Sequence, residues 1–215
     1  MSEAHVAVVL AAGGSSRLGR PKQLLTRDGE TLVHRALRLV STTSPSRVLV
    51  VVGAWSDQVI DALADSACEI VHNADWQRGL ATSLHAVAES LGSFNGPVLV
   101  IGCDQPALDS EHLRTLLIHA HSAPSRVAVT RYGDVSGVPV VVPAAWFWQD
   151  GIVGDQGFGP LLRALPATAL GAIDAPELGF DIDTPGDAAA AAARGWLDAS
   201  AVGSGTGALL ARGTS

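Results

Sequence analysis

Through the first 125 residues, short apolar runs alternate with apolar stripes at helical spacing. Val6–Leu10 is an unbroken β-branched run of the kind that suits a strand covered on both faces. Thr31–Val40 carries apolar side chains at 32, 33, 36, 37 and 40, which predicts a helix. A second buried strand is expected at Arg47–Gly53, with Val48–Val52 at its heart. A helix that Ser56 or Asp57 can cap follows, reaching about Ala64. Cys68–His72 reads as a short strand, Leu80–Leu91 as a helix, and Pro97–Gly102 as a strand. Asp109 or Ser110 then caps a helix to about His121. Strands and helices alternating at this pace predict βαβ units and a mostly parallel sheet. Ligands of such sheets sit at the carboxyl ends of the strands, near the switch in strand order.

From Arg126 the pattern changes. Val127–Thr130 and Val138–Val142 read as strands joined by a turn through Tyr132-Gly133-Asp134. Trp146, Phe147 and Trp148 cluster, with Phe158 nearby, and a glycine-rich run covers Gly151–Gly159. Residues 126–165 are expected to form a substrate-specific lobe. Thr184-Pro185 opens an alanine-rich helix over Asp187–Leu197, with proline at its favoured first position. Residues 1–197 are expected to be one domain and 198–215 a loose Gly/Ser/Ala tail. No internal repeat is visible.

Composition narrows the function. With 215 residues the chain can bury a sizeable core, and at 47% hydrophobic but 5% aromatic that core is alanine, valine and leucine. A net charge of −7 argues against a nucleic-acid binder, so an anionic ligand must be met by local cations. Cys68 and Cys103 form neither a disulfide framework nor a metal spacing, which points to a reducing cytoplasm. No apolar run approaches the ~18 residues of a membrane span, and no signal pattern opens the chain.

The local cations stand directly after the first strand, in Leu10-Ala11-Ala12-Gly13-Gly14-Ser15-Ser16-Arg17-Leu18-Gly19-Arg20-Pro21-Lys22. Gly13 and Gly14 allow a tight bend and close approach to the main chain. Their N–H groups, with Ser15 and Ser16, can converge on an anion, and Arg17, Arg20 and Lys22 supply charge. Lys22 is the only lysine among 14 Lys and Arg residues. A compact ammonium follows a moving phosphate better than a planar guanidinium does. The loop is not a Walker A motif, because Arg20-Pro21-Lys22 follows Gly19 and no Ser or Thr follows the lysine. The dinucleotide fingerprint G-x-G-x-x-G is also absent.

This stretch resembles the signature loop of the nucleotidyltransferases related to molybdenum-cofactor cytidylyl- and guanylyltransferases. The resemblance implies an α/β, Rossmann-like three-layer fold of the nucleotide-diphospho-sugar transferase type with a small substrate-side insertion. It further implies that Leu10–Ser16 hold the triphosphate of an NTP, with Arg17 and Lys22 on the leaving phosphates. Asp104, placed directly after a buried strand, is then suited to hold Mg²⁺. Gly179-Phe180-Asp181-Ile182-Asp183-Thr184-Pro185 resembles the family's second acidic stretch; Asp183 is the preferred second ligand and Asp181 the next. Asn73, Gly79 and Ser83 resemble the family's base and ribose segment, with Asn73 able to donate to and accept from a base. Gly137 and Pro139, with Gly154, Asp155 and Gly157, resemble its acceptor-side loops.

Ala11-Ala12-Gly13 resembles the cytidylyl branch, in which a methyl at residue 12 crowds a purine, so CTP is preferred over GTP. The implied acceptor is the phosphate of molybdopterin, with a receiving molybdoenzyme or a chaperone as a protein partner. Such a reaction needs no general base, because a phosphate nucleophile is already ionised at pH 7. Catalysis then rests on Lys22, Arg17 and Asp104 through positioning and charge. The alternatives are a guanylyltransferase, transfer to a sugar or polyol phosphate, and a non-catalytic nucleotide-binding module.

Overall fold

A computed structural model describes residues 3–202. The strands are β1 (Val6–Ala11), β2 (Thr26–Arg27), β3 (Glu30–Thr31), β4 (Arg47–Val52), β5 (Glu69–His72), β6 (Pro97–Gly102), β7 (Ala128–Tyr132), β8 (Val135–Pro143) and β9 (Gly171–Asp174). The α-helices are α1 (Leu32–Ser41), α2 (Ser56–Asp61), α3 (Leu80–Leu91), α4 (Ser110–Ser122), α5 (Gly159–Ala164), α6 (Pro185–Ala193) and α7 (Ala199–Val202). Seven strands form the main sheet in the order β5-β4-β1-β6-β8-β7-β9, while β2 and β3 pair as a small hairpin. Within the main sheet neighbouring pairs are parallel except those made by β8, which runs against both β6 and β7.

Period-two alternation assigns the side chains to two faces. Ala7, Val9, Val50 and Val52 face one buried layer with Val33, Val40, Leu113 and Leu116 of α1 and α4. Val6, Val8, Leu49 and Val51 face the other, with Leu84, Val87 and Leu91 of α3 and Phe147. Both faces are thus covered, which is why the central strands read as continuous apolar runs. The chain builds outward from β1 through β4 to β5, then returns to place β6 on the other side of β1. The resulting switch point lies between β1 and β6, where Ala12–Lys22 and Asp104 leave the sheet.

The structure departs from the sequence pattern at several places. α2 has Trp55 rather than Ser56 or Asp57 at its cap position, no side-chain cap, and ends at Asp61. The β2–β3 hairpin and β9 are too short to give a periodic signal, and α5 starts at Gly159, where the glycine-rich run ends, with Pro160 in its first turn. β7 and β8 continue the main sheet, so residues 126–165 do not stand apart from it as a separate lobe. α6 begins at Pro185 under a capping box between Thr184 and Asp187.

Residues 198–202, the start of the segment expected to be a loose tail, are held against the rest of the chain. Asp198 accepts from the N–H groups of Asp28 and Gly29 at 2.8 and 3.0 Å, and α7 packs on α6. The rest of that expected tail lies outside the described residues. Leu18, Leu25, Leu32, Ile182, Ala188, Ala191 and Leu197 form a third apolar cluster, which fastens the first loop to the segment carrying Asp181 and Asp183. Among the described residues no helix is long and apolar enough to cross a membrane.

Ile182 is fully buried in that third cluster. Ile182→Ala is expected to destabilise the fold by about 2–5 kcal/mol, read as a lowered denaturant midpoint at unchanged slope. A loss within experimental error would mean that the acidic segment is not anchored by its apolar centre.

Candidate active site

The loop after β1 is held by its carbonyls. Gln23, 1% exposed, donates from Nε2 to the carbonyl oxygens of Ala11 and Gly13, both at 2.8 Å. The Ala54 N–H donates to the Ala12 carbonyl at 3.2 Å, and Trp55 Nε1 to the Gly14 carbonyl at 3.0 Å. With four successive carbonyls engaged by the protein, the amide N–H groups are what this backbone can present to a ligand. Gly14 lets the Trp76 ring pack closely on the loop: a Cβ there would lie 2.6 Å from that ring and would displace it. Ser15 adopts a positive φ of 51°, and its Oγ accepts from the Lys22 N–H at 3.2 Å, closing the loop on itself.

At the end of the loop the only lysine bridges two distant acids. Lys22 Nζ donates to Asp104 Oδ2 at 2.6 Å and to Asp183 Oδ1 at 3.0 Å. Arg17, itself largely exposed, donates to Asp183 Oδ2 at 2.7 Å. Burial alone would lower the Lys22 pKa, but the two carboxylates outweigh it and hold the ammonium charged above its ordinary value. Asp104 stands after β6 and Asp183 at the entrance to α6, so the cluster joins three separate stretches of chain.

Leu10–Gly14, Lys22, Gly79, Ser83, Asp104 and Asp155 all line one cleft of about 400 Å³. Gln23, Trp76, Leu80, Cys103 and Val138 complete much of its wall. Gly79 has a φ of 103°, and a Cβ there would meet Asp155 Oδ1 at 2.6 Å. Asp155 accepts from the Leu80 N–H at 3.2 Å, and the Gly154 carbonyl from the Ala81 N–H at 2.8 Å. The 149–158 loop is therefore docked on the first turn of α3. Burial, followed by the charge of Asp104, pushes the Cys103 thiol up to about 12.

Other expected site residues are placed differently. Asn73 is 5% exposed and its amide is engaged within the protein: its Nδ2 donates to Thr82 Oγ1 and Ser83 Oγ, both at 2.9 Å, and its Oδ1 accepts from the Asp75 N–H at 3.0 Å. Pro139 is buried in β8, and it is the preceding Val138 that reaches the cleft. Gly137 makes room for the Tyr132 hydroxyl. Gly157 packs on Leu80 beneath the cleft, and Ser16 is exposed outside it. Asp181 reaches solvent beside the cluster, and partial burial, followed by Asp104 across the cleft, pushes its carboxyl up to about 7. Gln23 gave no signal beyond sitting close to the loop, whereas Trp76 stands inside the Asn73–Ser83 stretch that resembles the family's base and ribose segment. Gln105 gave none beyond its place beside Asp104.

A family model described as MobA-like NTP transferase domain matches residues 7–168. Nicotine blue oxidoreductase of Paenarthrobacter nicotinovorans is 31% identical over 189 residues, 82% of this chain and 91% of its own. The bifunctional protein GlmU of Synechococcus sp. (strain JA-2-3B'a(2-13)) is 38% identical over 120 residues, which are 54% of this chain. The match spans only 19% of the length of that GlmU. Among solved structures, a nucleotidyl transferase from Methanothermobacter thermautotroptrophicus superposes with a TM-score of 0.76 at 25% identity, covering 89% of this chain and 97% of that one.

The crowded acids predict a pH dependence. An Asp181 pKa raised from 3.8 to about 7 means that the folded chain keeps a proton the unfolded chain releases. Stability attributable to this group therefore falls as pH rises between those values, and the loss is complete above the upper one. Asp181→Asn is expected to raise Tm at pH 8, with the gain shrinking toward pH 4. A gain equal at both ends, measured by thermal denaturation, would contradict the crowding.

Proposed function

We propose that this chain, which belongs to the family of MobA-like NTP transferase domains, transfers CMP from CTP to the phosphate of molybdopterin with release of pyrophosphate. That it is a nucleotidyltransferase follows from the family and the fold. The observation that carries the finer reading is Lys22, bonded to both Asp104 and Asp183 at the end of a loop whose carbonyls face the protein. An ammonium has three donors, and two are taken by the acids; the third is left for a phosphate oxygen.

An oxygen of the acceptor phosphate forms a bond to the α-phosphorus while the bond to the β-phosphate bridging oxygen breaks, its electron pair leaving with pyrophosphate. The acceptor is ionised at neutral pH, so no side chain takes a proton. The loop amides, Lys22 and Arg17 orient the triphosphate and offset its charge, which is where catalysis of phosphoryl-type transfer lies. Asp104 and Asp183 fit a divalent cation by their chemistry, being two carboxylates brought together on one positive group. Among the described residues no cluster of three or more His, Cys, Asp or Glu side chains is arranged to hold a metal, so phosphate oxygens and water would complete the shell, as magnesium favours. When bound there, magnesium supplies further neutralisation of the phosphate charge.

The preference for CTP rests on Ala12. Ala12 lines the cleft, and its methyl is backed by Gly53, where even a Cβ would lie 3.0 Å from it. It cannot retreat from a bulky purine. A second reading is favoured by the relative that spans most of both chains, which bears an oxidoreductase name. A redox enzyme using a dinucleotide would lack the usual G-x-G-x-x-G fingerprint here.

Pyrophosphate release measured with CTP or GTP, magnesium, and molybdopterin or a sugar phosphate separates these readings. CTP with molybdopterin is expected to give the highest kcat/KM, and Lys22→Met to lower it by about 10²–10³-fold. Ala12→Gly is expected to shift the ratio of rates toward GTP. Nicotinamide-dependent reduction of a dye without pyrophosphate release would favour the redox reading and overturn this one.

A further inference from the structure

Gln105 follows Asp104 directly, is 4% exposed, and makes no contact that the chemistry above requires. Its Nε2 donates to the carbonyl oxygen of Val138 at 2.9 Å and to that of Leu178 at 2.8 Å. The amide cannot be turned over, because Oε1 would then face two carbonyl oxygens. Its Oε1 is buried, and among the described residues it has no hydrogen-bond partner.

The two carbonyls belong to different parts of the site. Val138 is the residue of β8 that lines the cleft. Leu178 opens the stretch that descends to Asp183, and four residues on, the Ile182 N–H donates to the Asp104 carbonyl at 3.3 Å. One side-chain amide therefore ties the acid-bearing end of β6 to the acceptor side and to the segment carrying the second acid. A methionine of similar length would fill the same space without a buried, unsatisfied oxygen, so packing alone does not account for an amide here.

We propose that Gln105 is a positioning residue: by clasping Val138 and Leu178 it sets the distance between Asp104 and Asp183 and their place relative to the acceptor side of the cleft. The inference rests on the nucleotidyl-transfer reading. It makes the two acids a unit whose geometry depends on a residue that touches neither substrate nor ion.

The test is titration of Mn²⁺ in the presence of CTP, followed by electron paramagnetic resonance, on the full chain and on Gln105→Met. Thermal denaturation is run alongside. Q105M is expected to weaken Mn²⁺ binding at least tenfold and to lower kcat more than it raises KM for CTP, with Tm changed by only a few degrees. A Mn²⁺ midpoint unchanged within twofold, whatever happens to Tm, overturns the proposal. If Q105M does not fold, Gln105→Asn replaces it, since the shorter amide cannot reach both carbonyls; the same outcomes decide. If the unsubstituted chain takes up no Mn²⁺ with CTP or GTP, the nucleotidyl-transfer reading itself fails, and the proposal with it. Normal binding by the unsubstituted chain with an indifferent Q105M overturns the proposal alone.

Discussion

One ammonium shared by two carboxylates is the interaction on which the rest of the site depends. Lys22, Asp104 and Asp183 come from the first loop, the end of β6 and the entrance to α6, and they are far apart in sequence. Removing the lysine would leave two acids without the cation they share, with Asp181 close by. Removing either acid would leave a largely buried ammonium with one partner. Such a cluster is a poor device for stability alone, because taking charges out of water costs much of what their attraction returns. It is a good device for receiving a polyanion and a cation together.

The fold serves that cluster. A parallel sheet with both faces buried brings β1 and β6 side by side and releases their following loops at the same edge. The apolar cluster of Leu18, Leu25, Leu32, Ile182 and the α6 alanines then fixes the first loop to the second acidic stretch. Arg27 and Arg35 add support from outside, donating to the carbonyls of Pro106 and Leu108 at 2.6 and 2.7 Å and so holding the turn beyond Asp104. The site is assembled from loops, but each loop is tied to rigid structure by hydrogen bonds or apolar packing.

Much of this was legible before any coordinates, for a physical reason. Strands buried on both faces declare themselves as apolar runs, and caps such as Asp109 and Thr184 declare helix starts. The loop from Leu10 to Lys22 stood out because glycine, serine and cations rarely follow a buried strand without purpose. What stayed hidden is short or dependent on tertiary contact. β9 and the β2–β3 hairpin have too few residues for a period. The amide of Asn73 is engaged within the protein, which no spacing in the chain could reveal. Gln23 and Gln105 act through backbone carbonyls brought to them only by folding.

Similarity to GlmU over part of its length, and to nicotine blue oxidoreductase over most of its length, shows that one scaffold is found in proteins with differently named activities. In the proposed function a triphosphate would be held by the amide side of the first loop, and Asp104 and Asp183 would hold a divalent ion. A crystal structure with CTP and manganese, phased for the metal's anomalous signal, tests this most directly. The account predicts a manganese peak bonded to both carboxylates and to phosphate oxygen, with the triphosphate against the N–H groups of Gly13 to Arg17. CTP bound elsewhere, or manganese away from both acids, would contradict it.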